Sequence, residues 1–360
     1  MLSYYDKINL EIKHISINSC LTPLCTLDGS HITTIEGIGG LRQGLHPIQK
    51  RLASFHGSQC GFCTPGIVMS LYTILRNYPN ATPHEIEESL DGNLCRCTGY
   101  RPILDAAKSL SNNKSCCGGN GGEGGCPCND NNNNNNNQIN ITTENIIQSN
   151  PSLADLNHTE PIFPPSLVSY VHEEILVSNY GVTWYQPVKL QSLLEFKLNH
   201  PNCKLVVGNT EVGIETKFKN FEYPFLVNPS HIQELKVLQI EEGGLRVGAA
   251  LSLETLRNFI HKTFIQSNNS SSTLTFYQKR GLISIYHMLT WFASTQIRNV
   301  ACLGGNLVTA SPISDMNPML SCLNAELNIA SLDGNRVILV KDFFKAYRQV
   351  NLNNNEILQD

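Results

Sequence analysis

From Pro47 onward the apolar positions recur at helical spacing. Ile48, Leu52 and Phe55 share one face of a helix expected over 47–57. Thr64 as cap and Pro65 at the first helical position open a second helix, whose Ile67, Leu71 and Leu75 form a stripe. A capping box from Thr82 to Glu85, with Pro83 inside it, starts a third that buries Ile86 and Leu90 and stops at Gly92. A fourth follows Pro102 through Ile103 and Ala107. The pattern predicts an all-α, four-helix domain over 45–112.

The periodicity then breaks. A Gly-rich stretch from Gly118 to Gly125 and seven consecutive asparagines from Asn131 to Asn137 predict a flexible linker over 113–163. Gly119, Gly121 and Gly124 match a dinucleotide fingerprint in letters alone, because no strand precedes them and no helix follows. Cys116, Cys117, Cys126 and Cys128 lie in the same stretch; ordering a mobile loop around a metal costs entropy, so free thiols are the expectation. After Pro161-Ile-Phe-Pro164-Pro165 strands and helices alternate. The expected elements are a strand at Gly181–Trp184, a helix over Leu190–Leu198, a buried strand at Lys204–Gly208 and a hairpin around Gly243-Gly244. A helix capped by Ser252 follows, with Leu253, Leu256 and Ile260 on one face, then another over Ile283–Ser294. This half is α+β.

Composition narrows the function classes. The 360 residues suffice for two or three domains, and a net charge of -4 argues against a nucleic-acid partner. No apolar stretch approaches a membrane span, and the first residues carry no export signal, so the cytosol is expected. Thirteen cysteines would suggest disulfides in a small secreted protein, but a chain this large, with cysteines in metal-style pairs, does not fit that class. The glycosylation-like sequences at Asn80, Asn140, Asn157 and Asn269 are then chance matches in an Asn-rich chain.

Those pairs are Cys60 with Cys63 and Cys95 with Cys97. A sulfur-only donor set suits zinc or an iron-sulfur cluster. Zinc knuckles usually space both pairs more widely, and a Cys-x-Cys pair is expected to share one iron of a two-iron core, which favours 2Fe-2S. The cysteines fall where helices end, so backbone N–H groups can point at sulfur, and Arg96 and Arg101 flank the site to ease reduction. In the second half, Gly208-Asn209-Thr210-Glu211-Val212-Gly213 follows the buried strand and could hold an anion through backbone N–H groups, although a structural turn explains it as readily. Gly304-Gly305-Asn306 and Ser311-Pro312-Ile313-Ser314-Asp315 supply a second close-approach loop and a carboxylate for sugar hydroxyls. Two such loops favour a large cofactor such as FAD, with Trp291 and Phe292 able to cover a flavin or simply to fill the core.

Taken together, Cys-Gly-Phe-Cys-Thr-Pro-Gly, Gly-Asn-Leu-Cys-Arg-Cys-Thr-Gly-Tyr-Arg-Pro-Ile, Leu-Val-Val-Gly-Asn-Thr-Glu-Val-Gly-Ile-Glu, Leu-Gly-Gly-Asn and Ala-Ser-Pro-Ile-Ser-Asp resemble the xanthine dehydrogenase family of molybdenum hydroxylases. They occur in the family's order and span nearly the whole chain apart from the linker; the aldehyde oxidases are the related alternative. The resemblance implies a multidomain chain: a truncated β-grasp ferredoxin remnant over 1–44, an all-α four-helix 2Fe-2S domain over 45–112, and an incomplete FAD-binding domain of the PCMH, or vanillyl-alcohol-oxidase, type over 178–360. It implies Cys60, Cys63, Cys95 and Cys97 as cluster ligands, and FAD lying against Leu205, Val206, Val207, Gly208, Asn209, Thr210, Glu211 and Val212. Phe292, Cys302, Leu303, Gly304, Gly305, Asn306, Asp315 and Leu358 complete the implied flavin set, with Phe292 near the ring. In the family, hypoxanthine or xanthine is hydroxylated to urate at molybdenum. Electrons then pass through two clusters to FAD and on to NAD or oxygen, in a homodimer.

The chain departs from that pattern at its first cluster, for which only Cys20 matches, as the final ligand; one thiolate cannot hold two irons. Cys25 is expected in the core. The sequence stops at Asp360, inside the flavin region, so the chain alone is expected not to hydroxylate a purine and to need a molybdenum-cofactor domain in cis or in trans. Transfer from the helical cluster to FAD is expected to be slow without the first cluster. A separate electron-transfer subunit and a zinc-stabilised binding module are the competing readings, and the location is cytoplasmic or, alternatively, peroxisomal.

Overall fold

The computed structural model describes residues 1–7, 9–42, 44–111, 160–266 and 274–360. Cys116, Cys117, Cys126, Cys128, the glycines of the fingerprint-like stretch and the asparagine run lie outside the described residues. The chain divides into two compact units, one of Met1–Ser16 with His31–Leu167 and one of Ile17–Ser30 with Val168–Asp360. The second unit therefore takes in Ile17–Ser30, a stretch inside the remnant expected over 1–44.

In the first unit, β1 (Leu2–Asp6) pairs antiparallel with β2 (Glu11–Ile15) on one side and β3 (His31–Ile32) on the other. A short α1 (Ile35–Ile38) leads into α2 (Pro47–Ser54), α3 (Thr64–Asn77), α4 (Pro83–Glu88) and α5 (Arg101–Lys108). Their apolar stripes make one core in which Ile48, Leu52, Ile67, Leu71, Ile86 and Ile103 are each at most 2% exposed. Several ends differ from the sequence expectation. Cys63, not Thr64, is the cap of α3, and Phe55 is the C-cap of α2 and only partly buried. The third helix stops at Glu88, four residues before Gly92.

His46 caps α2: its Nδ1 accepts from the Ile48 N–H, leaving Nε2 to donate to Glu160 Oε1 at 3.0 Å. Glu160 also accepts from the buried Tyr72 hydroxyl and from Arg76 Nη1 at 3.2 Å. The end of the stretch expected to be linker is thus bonded into the helical unit. One cation, Arg76, and two neutral donors, His46 and Tyr72, compensate a carboxylate withdrawn from water.

In the second unit a four-stranded sheet runs in the order β4 (Ile175–Asn179), β5 (Val182–Gln186), β7 (Phe225–Val227), β6 (Lys204–Leu205). The β4–β5 hairpin is antiparallel and the other two pairings are parallel, with α6 (Leu190–Asn199) between β5 and β6 and α7 (Val212–Phe218) between β6 and β7. The hairpin β8 (Leu238–Glu241) and β9 (Gly244–Val247) precedes α8 (Leu253–Ile260), capped by Ser252 as its sequence suggests. The long α9 (Phe276–Trp291), α10 (Thr295–Arg298), α11 (Leu303–Thr309) and α12 (Met316–Cys322) follow. A last sheet has the order β11 (Gly334–Leu339), β10 (Glu326–Ser331), β12 (Ile357–Leu358).

Two expectations are corrected here. The strand drawn over Lys204–Gly208 keeps only two residues, because the buried Asn228 donates its Nδ2 to the carbonyls of Val206 and Val207 at 2.8 and 3.2 Å. Gly304-Gly305-Asn306 is not a loop but the first turn of α11, capped by Cys302, whose Sγ accepts the Gly305 N–H at 3.2 Å. Among the described residues no helix is long and apolar enough to cross a membrane.

The edge beside β12 is held by Arg336, which donates Nε and Nη2 to the two carboxylate oxygens of Glu356, each at 2.8 Å. That bond, with the Asn353 N–H, lowers the Glu356 carboxyl from 4.5 to about 2. A depressed folded-state value gives stability that is complete above the unfolded value and disappears as pH falls through the folded one. Glu356→Gln is expected to cost about 1 kcal/mol at neutral pH, screening by solvent at the guanidinium allowed for. The loss should shrink between pH 4.5 and about 2, as read by denaturant melts of both proteins. A loss independent of pH would show that packing, not charge, holds this edge.

Candidate iron-sulfur and flavin sites

Cys60 and Cys63 lie on the turn that enters α3, and Cys95 and Cys97 on the turn before α5. Both turns need left-handed backbone, with φ of +82° at Gly61, +65° at Gly99 and +70° at Tyr100. The second turn is fastened to α3 by reciprocal Ser70–Asn93 hydrogen bonds, Asn93 Nδ2 donating at 3.0 Å. It is closed on itself where the Cys95 N–H donates to the Tyr100 hydroxyl at 3.1 Å and the Tyr100 N–H to Thr98 Oγ1 at 3.2 Å.

The four thiols meet across the turns. Cys60 contacts Cys97, and Cys63 contacts Cys95. This corrects the expectation that Cys95 and Cys97 share one iron: neighbouring side chains on a tight turn diverge, and packing of α3 against the second turn supplies each with a partner from the other segment. A single tetrahedral ion with metal–sulfur bonds near 2.3 Å would draw all four sulfurs to about 3.8 Å of one another. Among the described residues, no three of these sulfurs lie within 4.8 Å of one another. Cross-paired sulfurs with the pairs held apart fit a two-iron core better than one zinc.

Backbone dipoles are aimed at the thiols. The Phe62 N–H lowers the Cys60 pKa, and the Cys97 contact adds to this. The Thr98 hydroxyl, followed by the Thr98 and Cys97 N–H groups, lowers Cys95 to about 7. Cys97 is raised by its contact with Cys60, and Cys63 by burial and then Cys95. Each pair thus combines a thiol predisposed to ionise with one held protonated, and a cation bound between them would ionise both. Arg96 and Arg101 are exposed nearby, as are Phe62 and Leu94, at 95% and 80%.

Cys20 stands apart from this set, exposed on a single 3-10 turn, its carbonyl accepting from Lys217 Nζ. Cys25 is partly buried against Trp184, Val206 and Val212. All nine described cysteines are free thiols.

The two glycine segments of the second unit are brought side by side. A Cβ on Gly208 would lie 2.1 Å from the Val300 carbonyl oxygen, and one on Gly304 would lie 2.6 Å from the Ala249 Cβ. Both glycines are dictated by backbone meeting backbone, and the first places 208–211 beside the chain that leads into α11. Leu205 and Val207 pack into a core under the sheet, while Val206 and Val212 are buried in another apolar cluster. Asn209 turns the chain at φ +56° and donates Nδ2 to the Leu21 carbonyl at 2.8 Å. Thr210 is half-buried, and Glu211 accepts from Arg348 Nη1 at 2.6 Å.

Phe292 caps the C-terminus of α9, in the same apolar core as Leu303 and Leu358, which are buried. Cys302 is buried enough to push its thiol up to about 11, so it acts as a neutral cap. Gly304 is buried, but Gly305 is exposed, and Asn306 accepts from the Ser314 hydroxyl at 2.7 Å. Asp315 is exposed, with no capping bond from its side chain. An exposed glycine, an amide and a free carboxylate beside a buried apolar core suit an elongated cofactor with a polar, hydroxyl-rich chain.

Two supports of the site escape any reading of the sequence alone. Asn228 shapes the end of β6, and Arg298, 2% exposed, donates Nε to Glu254 at 2.8 Å and Nη1 to the Phe292 carbonyl at 2.9 Å. Neither has a periodic or motif signature; each is defined by partners distant along the chain.

Residues 178–360 match the family model described as the FAD binding domain in molybdopterin dehydrogenase, and residues 34–108 match that of a 2Fe-2S binding domain. The chain is similar to the xanthine dehydrogenase of Oryza sativa subsp. japonica, at 42% identity over 99% of this chain and 27% of that protein. It is 43% identical to xanthine dehydrogenase 2 of Arabidopsis thaliana and to the xanthine dehydrogenase/oxidase of Gallus gallus, each over 99% of this chain and 27% and 28% of theirs. It spans about a quarter of the length of these relatives.

Cys60→Ser and Cys95→Ser are each expected to abolish the visible absorption of a bound cluster and its iron, while flavin content stays that of the native chain. Iron and flavin assays on the purified variants decide this; full iron retention in either variant would remove that cysteine from the ligand set.

Proposed function

Because the chain belongs to the family of FAD binding domains in molybdopterin dehydrogenases and carries a 2Fe-2S domain ahead of that domain, we propose that it is the electron-transferring iron-sulfur flavoprotein portion of a xanthine dehydrogenase-like enzyme. On this reading electrons released when hypoxanthine or xanthine is oxidised to urate, at a molybdenum-cofactor domain in cis or in trans, enter the cluster. They leave through FAD to NAD or oxygen.

The observation that carries the reading is the cross-pairing of Cys60 with Cys97 and Cys63 with Cys95 in a chain whose other half is a flavin domain. A bound 2Fe-2S cluster supplies one-electron transfer, and FAD links one-electron to two-electron chemistry. The protein's part is to hold four thiolates, to spread their charge through N–H bonds from Phe62, Cys97 and Thr98, and to keep the cluster at the edge of its unit, beside exposed Phe62 and Leu94. In the flavin domain Gly305, Asn306 and Asp315 would hold the ribityl and ribose hydroxyls, with the 208–211 turn against the pyrophosphate and Phe292 beside the ring system. The proposal extends to the finer architecture, with β1–β3 as the remainder of a β-grasp ferredoxin domain and the second unit of PCMH type, and to a cytoplasmic homodimer.

Purified native chain should be brown-yellow, release FAD on denaturation, and give a 2Fe-2S electron paramagnetic signal after reduction. NADH should bleach the flavin, with the cluster signal growing as electrons equilibrate. A preparation that binds zinc but no iron, or a flavin that neither NADH nor oxygen turns over, would defeat the proposal.

A further inference from the structure

Away from the cysteines and the flavin segments, three side chains from separate stretches of the second unit converge. Asp28, His172 and His231 each offer one ligand atom, and the three atoms lie within 4.8 Å of one another. His172 Nδ1 is 3.1 Å from Asp28 Oδ2, while the other carboxylate oxygen accepts from the Tyr170 hydroxyl at 2.6 Å. The rings of His172 and His231 stack at 3.7 Å and 21°. All three residues are half-buried, so an ion could reach them from solvent.

We propose that Asp28, His172 and His231 bind a single divalent cation of the zinc class, and that the ion pins Ile17–Ser30 to the body of the second unit. The donor set is two imidazoles and a carboxylate, borderline ligands that suit zinc and its neighbours better than calcium or magnesium. A separation of 3.1 Å between Nδ1 and Oδ2 matches the bite of two donors on one ion with bonds near 2.0 Å. The Tyr170 hydroxyl fixes the carboxylate as outer-shell donors do, and leaves Oδ2 directed at His172.

The local backbone is built around this cluster. Gly29 has φ +69°, and a Cβ there would lie 2.6 Å from His172 Cε1 and 2.7 Å from Tyr170 Cδ1, so only glycine lets the segment pass against both rings. One adjustment is needed. Parallel imidazoles cannot both aim a lone pair at one ion, so His231 rotates out of the stack on binding. The stacking forfeited is small against coordination.

The test uses the full chain with cluster and flavin in place, titrated with Zn2+ and, for spectroscopy, Co2+. Co2+ on nitrogen and oxygen donors shows weak ligand-field bands without the intense sulfur-to-metal charge transfer that cysteine ligation gives, so the two sites are told apart. The expected result is one equivalent with the nitrogen–oxygen spectrum, lost in Asp28→Asn and in His231→Gln, with flavin content unchanged. Tyr170→Phe should keep the stoichiometry and weaken affinity about tenfold. Zn2+ should raise the melting temperature of the native chain and of neither ligand variant. Uptake through thiolates alone, or equal uptake by native chain and ligand variants, overturns the proposal. Should the ligand variants lose flavin through misfolding, native-like affinity in Tyr170→Phe overturns it on its own.

Discussion

Two turns, each able to supply only two sulfurs, become one site because the helical core presses them together. Cys63 caps α3, whose buried face, Ile67, Leu71 and Tyr72, is fixed in the same core as Ile86 and Ile103. Cys95 is buried in that core and Cys63 packs against it, while Cys60 and Cys97 are exposed and ride on it. The Ser70–Asn93 bond then sets the height of the second turn along α3, and Thr98 and Tyr100 shape its tip. A preformed cradle is what four thiolates demand, since each is repelled by the others until a cation separates them.

The second unit relies on a different constraint, the approach of backbone to backbone. Gly208 against Val300 and Gly304 against Ala249 leave no room for a methyl group. Hydrogen bonds follow the same seams, with the Gly304 N–H on the Ala249 carbonyl and the Leu253 N–H on that of Ala301. Close approach here stitches three segments distant along the chain, at Gly208, at Ala249 and at Val300 to Gly304, into one surface, and the groups that remain outside, Gly305, Asn306 and Asp315, are those placed to meet a cofactor. Buried polar supports such as Asn228 and the Arg298–Glu254 pair keep that surface fixed, since each would be costly to leave half-bonded.

Much of this was legible along the chain. Helix stripes such as Ile67–Leu71–Leu75, the Thr82–Glu85 capping box and the Ser252 cap are local, and their energetics are settled within a few residues. The cysteine spacing and the glycine motifs were enough to point to cluster and flavin chemistry. What failed were ends and partners. Lys204–Gly208 looks like a full strand by hydrophobicity, yet Asn228 captures its last carbonyls, and the glycine pair after Cys302 looks like a loop until its N–H groups are seen in a helix.

The amino-acid order by itself therefore determined which residues are apolar, which can cap, and which sulfurs are available. Only tertiary structure decided that Cys60 faces Cys97 rather than Cys63, that Glu160 closes onto His46 and Tyr72, and that Asp28 meets two histidines more than 140 positions downstream. The reason is range. Propensity and spacing act over one or two turns of chain, whereas a ligand set is fixed by how separate segments pack, and that depends on the whole core at once.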